Sequence, residues 1–293
     1  MAIPISSSES ANKNQDVGRV LLIGKHAQFG TQLEEALAER GCCFDYAAGS
    51  ADALQHLRKA PYEVVITDPT TGIEEDLALL HEIRAVRPGV RAILLAPTGT
   101  AEEIIAALRV RVFLCKCAPF DVAEIAEYAL RAVEDSDSVL GIEILSARRD
   151  WISVRMNCHM LTADRLVAFL KEIQTELPEQ PREELMLAFL EILRNAVEHG
   201  AQGNSSKLLE VAAVHTARAI VFYVADPGPG FRWDSIPHSA LSNTPEDPTR
   251  HIEIRESAGM RPGGYGILMA RGIVDELIYS EVGNESLLIK HTA

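Results

Sequence analysis

The feature that most constrains this chain is an alternation repeated five times between residues 18 and 134. Short apolar runs give way to helical segments in the order "RVLLIG", "QLEEALAERG", "CFDYAA", "SADALQHLRKA", "EVVITD", "EEDLALLHEIRAVRPG", "RAILLAP", "AEEIIAAL", "VFLCK" and "FDVAEIAEYALRAVE". Gly41 stops the first helix, and Ser50 is the expected N-cap of the second, with Pro61 beyond its end. Short apolar strands that alternate with amphipathic helices specify a parallel sheet with helices on both faces. In such a doubly wound sheet the working residues lie just past the carboxyl ends of the strands. Asp68, closing "VVITD", and Lys116, closing "VFLCK", occupy such positions.

The whole chain has 293 residues, long for one domain and sufficient for two. Hydrophobic residues make up 47% of it, enough for a core in each half. Its formal charge of −14 repels phosphate backbones and anionic lipid, so neither nucleic acid nor a membrane surface is an expected partner. The five cysteines are not spaced as a disulfide framework, and Cys115-x-Cys117 lacks a second ligand pair for a metal. Residues 1–17 are polar, without the basic and apolar regions of a signal peptide, and read as a disordered tail. No apolar run approaches the roughly 18 residues of a membrane span. We expect a cytoplasmic protein with free thiols.

Residues 18–134 resemble the receiver domain of two-component response regulators, which implies a flavodoxin-like fold. Asp68 matches that family's phosphoacceptor and Lys116 its charge-sensing lysine. Three departures accompany the match. Gly24-Lys25-His26 stands where the family holds Mg²⁺ with an acidic pair, Ala96 replaces a Ser/Thr, and the Lys-Pro dipeptide is interrupted as Lys116-Cys117-Ala118-Pro119. Phosphorylating a carboxylate needs a hard cation held by carboxylates, and Lys25 puts a positive charge in its place. The expectation is a degenerate receiver that signals by binding; a receiver phosphorylated on Asp68, and Asp68 as an ordinary strand-end polar residue, are the alternatives.

"EDSDSVLG" reads as a linker, with its core at 135–140, and a second domain over 141–293 follows. "IEILSA" and "WISVRMN" read as strands, and "TADRLVAFLKEIQTEL" as a helix N-capped by Thr162 and stopped by Pro178. In "REELMLAFLEILRNAVEHG" the helical period puts Leu185, Phe189, Ile192, Leu193, Ala196 and Val197 on one face. Glu184, Glu191, Asn195, Glu198 and His199 share the other, and Gly200 is the expected C′ residue. By itself that polar stripe is best explained by water.

Two loops downstream change its meaning. "IVFYVADPGPGF" delivers Asp226 into a turn with Gly228 and Gly230, and "RPGGYGILMARGIVDEL" sets Gly263, Gly264 and Gly266 before a helix. Glycines ahead of a helix N-terminus let backbone N–H groups approach a phosphate closely. The order of the three motifs resembles the ATP-binding fold shared by gyrase, mismatch-repair ATPases, histidine kinases and anti-sigma-factor serine kinases, the GHKL group, an α/β sandwich. "LAFLEILRNAVEHG" is most similar to the last of these.

That resemblance implies roles. Asn195 would coordinate Mg²⁺ on the ATP phosphates, Glu191 would be the general base, and Asp226 would accept from the adenine amino group. Gly228 and Gly230 would pass the base, Gly263, Gly264 and Gly266 would line the triphosphate, and residues 232–260 would form the lid. The implied function is ATP- and Mg²⁺-dependent phosphorylation of a Ser/Thr on an anti-sigma-antagonist-like partner, with a sigma factor and a homodimer as further expected partners. A non-catalytic ATP-gated binding module and a histidine-kinase-like protein using His159 are the alternatives. The second of these needs a long two-helix hairpin, and only one helix of modest length fits between His159 and Asn195.

Overall fold

A computed structural model describes residues 18–25, 27–134, 141–174, 176–230, 243, 247, 249–257, 259 and 264–292. The expected tail at 1–17, the expected linker at 135–140, most of the expected lid and Gly263 lie outside these residues.

The first half builds strands β1 (Gly18–Ile23), β2 (Cys42–Ala47), β3 (Val64–Thr67), β4 (Arg91–Ala96) and β5 (Leu114–Cys117). They alternate with helices α1 (Ala27–Ala38), α2 (Ser50–Lys59), α3 (Ile73–Val86), α4 (Ala101–Arg109) and α5 (Val122–Glu134). All pairings are parallel, in the order β2-β1-β3-β4-β5. This is the flavodoxin-like doubly wound order, whose crevice opens at the carboxyl ends of β1 and β3. Val64, Val65 and Ile66 are at most 1% exposed, so the apolar run of β3 is buried on both faces as a central parallel strand requires. Helix α4 begins with a capping box between Thr100 and Glu103. Helix α2 begins at Ser50 with Gly49, not Ser50, as its N-cap.

The second half is a six-stranded antiparallel sheet in the order β10-β11-β9-β8-β7-β6. Its strands are β6 (Ile142–Arg148), β7 (Trp151–Asn157), β8 (Leu208–His215), β9 (Ala219–Ala225), β10 (Glu276–Tyr279) and β11 (Glu285–His291). Helices α6 (Met160–Ile173), α7 (Glu179–Asn195) and α9 (Gly266–Ile273) accompany them, with α8 (Arg250–Ser257) between the glycine loops. Alternation along β7 and β9 buries Ile152, Val154, Met156, Ile220, Phe222 and Val224 under α6 and α7. There Phe189 of α7 stacks on Phe222 of β9, with ring centroids 4.2 Å apart.

Helix α6 starts two residues before Thr162, with His159 as N-cap, and ends at Ile173, before Pro178. Thr162 is buried because α6 is covered on two sides: by its own sheet and by the first half. Arg165, 3% exposed, donates through Nε to the Phe113 carbonyl at 2.7 Å and lies 4.3 Å over the Phe113 ring. Glu172 accepts from the Cys117 N–H at 3.3 Å, and Arg131 of α5 bonds Asp164 at 2.8 Å. The end of the first half's sheet and helix α5 are thus tied to α6 near its start and at its end.

Candidate functional site

The site assembles where α7 ends. Its apolar face, Leu185, Phe189, Ile192 and Leu193, is buried against the sheet, which turns Glu191 and Asn195 to the opposite side. Residues four apart on a helix lie one above the other, so both side chains project into one space. The helix then widens into a π turn, Ala196–Gly200, closed by the Ala201 N–H on the Ala196 carbonyl at 2.8 Å. Gly200 is not the left-handed C′ residue; Gln202 (φ 59°) and Gly203 (φ 65°) take those positions. Glycine is needed at 200 for space instead. A Cβ there would stand 2.2 Å from the Asp226 carboxyl group.

That contact joins the first motif to the second. Strand β9 delivers Asp226, whose N–H bonds the Asn284 carbonyl at 2.9 Å and whose Oδ1 accepts from the Gly228 N–H at 2.8 Å. Oδ2 makes no hydrogen bond to the described residues. Burial raises the Asp226 carboxyl above its ordinary value, against the Gly228 N–H and Lys207, which lower it. Burial first, then the Asp226 charge, push the Cys158 thiol up to about 11 and raise the Tyr279 phenol. Asp226 therefore has a floor of neutral groups. A Cβ on Gly228 would meet the Gly200 carbonyl at 2.5 Å, and one on Gly230, at φ 76°, would meet the Val282 carbonyl at 2.0 Å. Both glycines are spatial necessities of this loop.

The third motif closes on the first. Gly266 opens α9, and a Cβ there would lie 2.6 Å from Glu191 Oε2. Glu191 Oε1 takes a 2.7 Å ion pair from Arg194, which holds the carboxylate with Oε2 toward α9. The N-cap of α9, Tyr265, makes no side-chain cap, and the first turn carries no acidic residue. A helix N-terminus without a side-chain cap or an acidic first turn favours an anion through its N–H groups and dipole. Gly264 has φ 97°, a left-handed conformation that suits glycine.

The donor set fits a nucleotide with Mg²⁺. Asn195 Nδ2 is buried without a hydrogen-bond partner among the described residues. An orphan of this kind costs about 1–3 kcal/mol. Exchanging the amide's two ends, which are assigned rather than observed, turns its oxygen there, and oxygen is the donor Mg²⁺ takes. Among the described residues no group of three His, Cys, Asp or Glu side chains could hold a metal.

The receiver positions are arranged differently. Asp68 is fully buried; Oδ2 accepts the Lys25 N–H, and Oδ1 accepts the Thr70 N–H at 2.8 Å and the Thr70 hydroxyl. Its carboxylate lies against Gly24 at 2.0 Å from where a Cβ would be. Lys116 pairs with Glu124 at 2.5 Å. Behind Asp68, Asp76 accepts from Thr67 at 2.6 Å and Thr71 at 2.7 Å. Burial nevertheless raises its carboxyl to about 6. His159 is exposed at the head of the 14-residue α6, with only that helix before α7.

Arg194, Lys207 and Asn284 were not singled out in the sequence. The i,i+3 spacing of Glu191 and Arg194 was a readable signal; Lys207 and Asn284 reach the site only through strand register.

Residues 160–290 match the family model described as histidine kinase-like ATPase domain. No curated protein matches the chain. Solved structures similar to the first half include a CheY-like response regulator receiver domain from Methanospirillum hungatei JF-1, 16% identical, covering 41% of this chain and 96% of that one, TM-score 0.37. The receiver domain of nitrogen regulatory protein C is 23% identical, over 40% of this chain and 95% of that one, TM-score 0.36. A receiver domain protein from Clostridium thermocellum is 20% identical, over 40% and 94%, TM-score 0.36.

Proposed function

With a histidine kinase-like ATPase domain at residues 160–290 as premise, we propose that this protein is a cytoplasmic signalling regulator that phosphorylates a Ser/Thr hydroxyl of a partner protein, using ATP and Mg²⁺. The observation that carries the reading is the convergence of Glu191 on Gly266 at the head of α9, with Asn195 one turn along α7. ATP supplies the phosphoryl group, and Mg²⁺ offsets the charge on its phosphates. Asn195 would give the cation an amide oxygen, and the first turn of α9 would hold phosphate oxygens. Asp226 Oδ2 accepts from the adenine amino group, with Gly228 and Gly230 leaving room for the base. Glu191 takes the proton as the partner's hydroxyl oxygen bonds to the γ-phosphorus and ADP departs. Arg194 keeps the carboxylate turned toward that event.

The partner is an anti-sigma-antagonist-like protein bearing the target hydroxyl, with a sigma factor or a second copy of the chain as further partners. The receiver-type half acts by binding, without phosphoryl chemistry. Supporting this, both Asp68 oxygens are engaged and Gly24 and Lys25 stand where a cation would need carboxylates.

Incubation with candidate partners, ATP and Mg²⁺ should yield a phosphoserine or phosphothreonine, lost in Glu191→Gln. Nucleotide binding without transfer to any partner would favour the ATP-gated binding module instead. Transfer retained in Glu191→Gln would remove Glu191 from the base role.

A further inference from the structure

Helix α8 lies between the two glycine loops and carries a histidine with no exposed surface, His251. Two bonds to Asn243 hold this residue, one at its backbone and one at its ring. Asn243 Oδ1 accepts the His251 backbone N–H at 3.1 Å, so Nδ2 of the same amide is the end that faces ring Nδ1, at 2.7 Å. An amide nitrogen only donates, so Nδ1 must accept. The single proton of the neutral ring therefore sits on Nε2. That Nε2 is buried and has no hydrogen-bond partner among the described residues. The ring also stands edge-on to Tyr265, 4.5 Å between centroids and 90° between planes, and Tyr265 is the N-cap of α9.

A buried donor left unmade is costly, and a phenylalanine or leucine would fill the same space without the penalty. The asparagine adds to the puzzle, because it directs the proton outward to Nε2 instead of satisfying it. What is missing is an acceptor, next to a helix terminus whose N–H groups also lack side-chain caps. A phosphate oxygen is an acceptor that both groups take.

We propose that His251 is a phosphate-binding residue of the segment between the glycine loops. Its Nε2–H donates to the phosphate chain of the nucleotide, and Tyr265 couples α8 to the head of α9. This rests on the ATP reading of the site and adds to it a donor outside the three motifs.

The test compares ATP and adenosine on the full chain, by calorimetry, for wild type, His251→Phe and Asn243→Ala. Phenylalanine keeps the ring against Tyr265 and removes both nitrogens. We expect His251→Phe to weaken ATP about ten- to a hundredfold, the worth of one hydrogen bond to a charged group, with adenosine unchanged. Asn243→Ala should weaken ATP less, since the proton then divides between the two nitrogens. In ¹⁵N-histidine-labelled wild type, ATP should shift the His251 Nε2 resonance and adenosine should not. Equal ATP affinity in wild type and His251→Phe, or an equal loss for ATP and adenosine, overturns the proposal and leaves the ATP reading standing. Failure of wild type to bind ATP overturns both.

Discussion

Replacing Arg165 by methionine tests the seam between the two halves. The substitution keeps an unbranched stem of similar length and deletes the guanidinium. Three interactions go with it: the 2.7 Å bond to the Phe113 carbonyl, a 3.4 Å contact to the Val112 carbonyl, and the cation over the Phe113 ring. The short bond, to a charged donor, is worth about 1.5–3 kcal/mol. The ring contact adds roughly 0.5–2 kcal/mol, and the long contact lies at the edge of useful geometry. Against these, methionine no longer requires a buried charge to be desolvated, which returns part of the sum. A net loss of about 2 kcal/mol remains. Emission from Trp151, at the start of β7, reports the second half during urea unfolding. With a slope near 2 kcal/mol per molar, its midpoint should fall by about 1 M. The decisive control is a double-mutant cycle with Phe113→Leu, where coupling above about 0.5 kcal/mol is expected for residues in contact. An unchanged midpoint, or strictly additive losses, would refute the claim that Arg165 ties α6 to the first half.

Three further outcomes follow from the same geometry. Gly230→Ala forces a Cβ to 2.0 Å from the Val282 carbonyl at φ 76°, so it should lower thermal stability by several degrees and weaken ATP, read by differential scanning fluorimetry with and without nucleotide. Asp76 has its folded-state carboxyl raised to about 6 from 3.8, so its contribution is fully present below pH 4 and lost as pH rises through 6. Asp76→Asn should therefore gain stability relative to wild type between pH 4 and 7, by about 3 kcal/mol at most; a pH-independent difference would contradict this. Acetyl phosphate with Mg²⁺ should leave the intact mass unchanged, whereas an Asp68-dependent gain of one phosphoryl group would show the receiver-type half to be active.

Much of the architecture was legible because its signals are local. The apolar runs of β1, β3, β4 and β5, alternating with amphipathic helices, specify buried parallel strands, and the positions of Asp68 and Lys116 follow from them. The three glycine-bearing motifs were readable from spacing, yet the reason for one glycine was misjudged. Gly200 was assigned to a left-handed helix end, whereas its role is to clear Asp226, which lies 26 positions along the chain. The start of α6 was misplaced at Thr162 because burial of α6 by the first half has no local signature. Arg165 illustrates the same limit: a charged residue within a helix reads as solvated until carbonyls at 112 and 113 come under it. His251 was passed over inside a variable stretch, since its meaning depends on Asn243 and Tyr265 together.

The central claim is that Asp226 and the glycine loops around Glu191 and Asn195 hold ATP. Titrating a fluorescent ATP analogue into wild type and Asp226→Ala tests it most directly. Wild type should bind saturably in the presence of Mg²⁺, and Asp226→Ala at least tenfold more weakly, the worth of about 1.4 kcal/mol. Absence of binding by wild type, or equal affinity in the variant, would contradict the account.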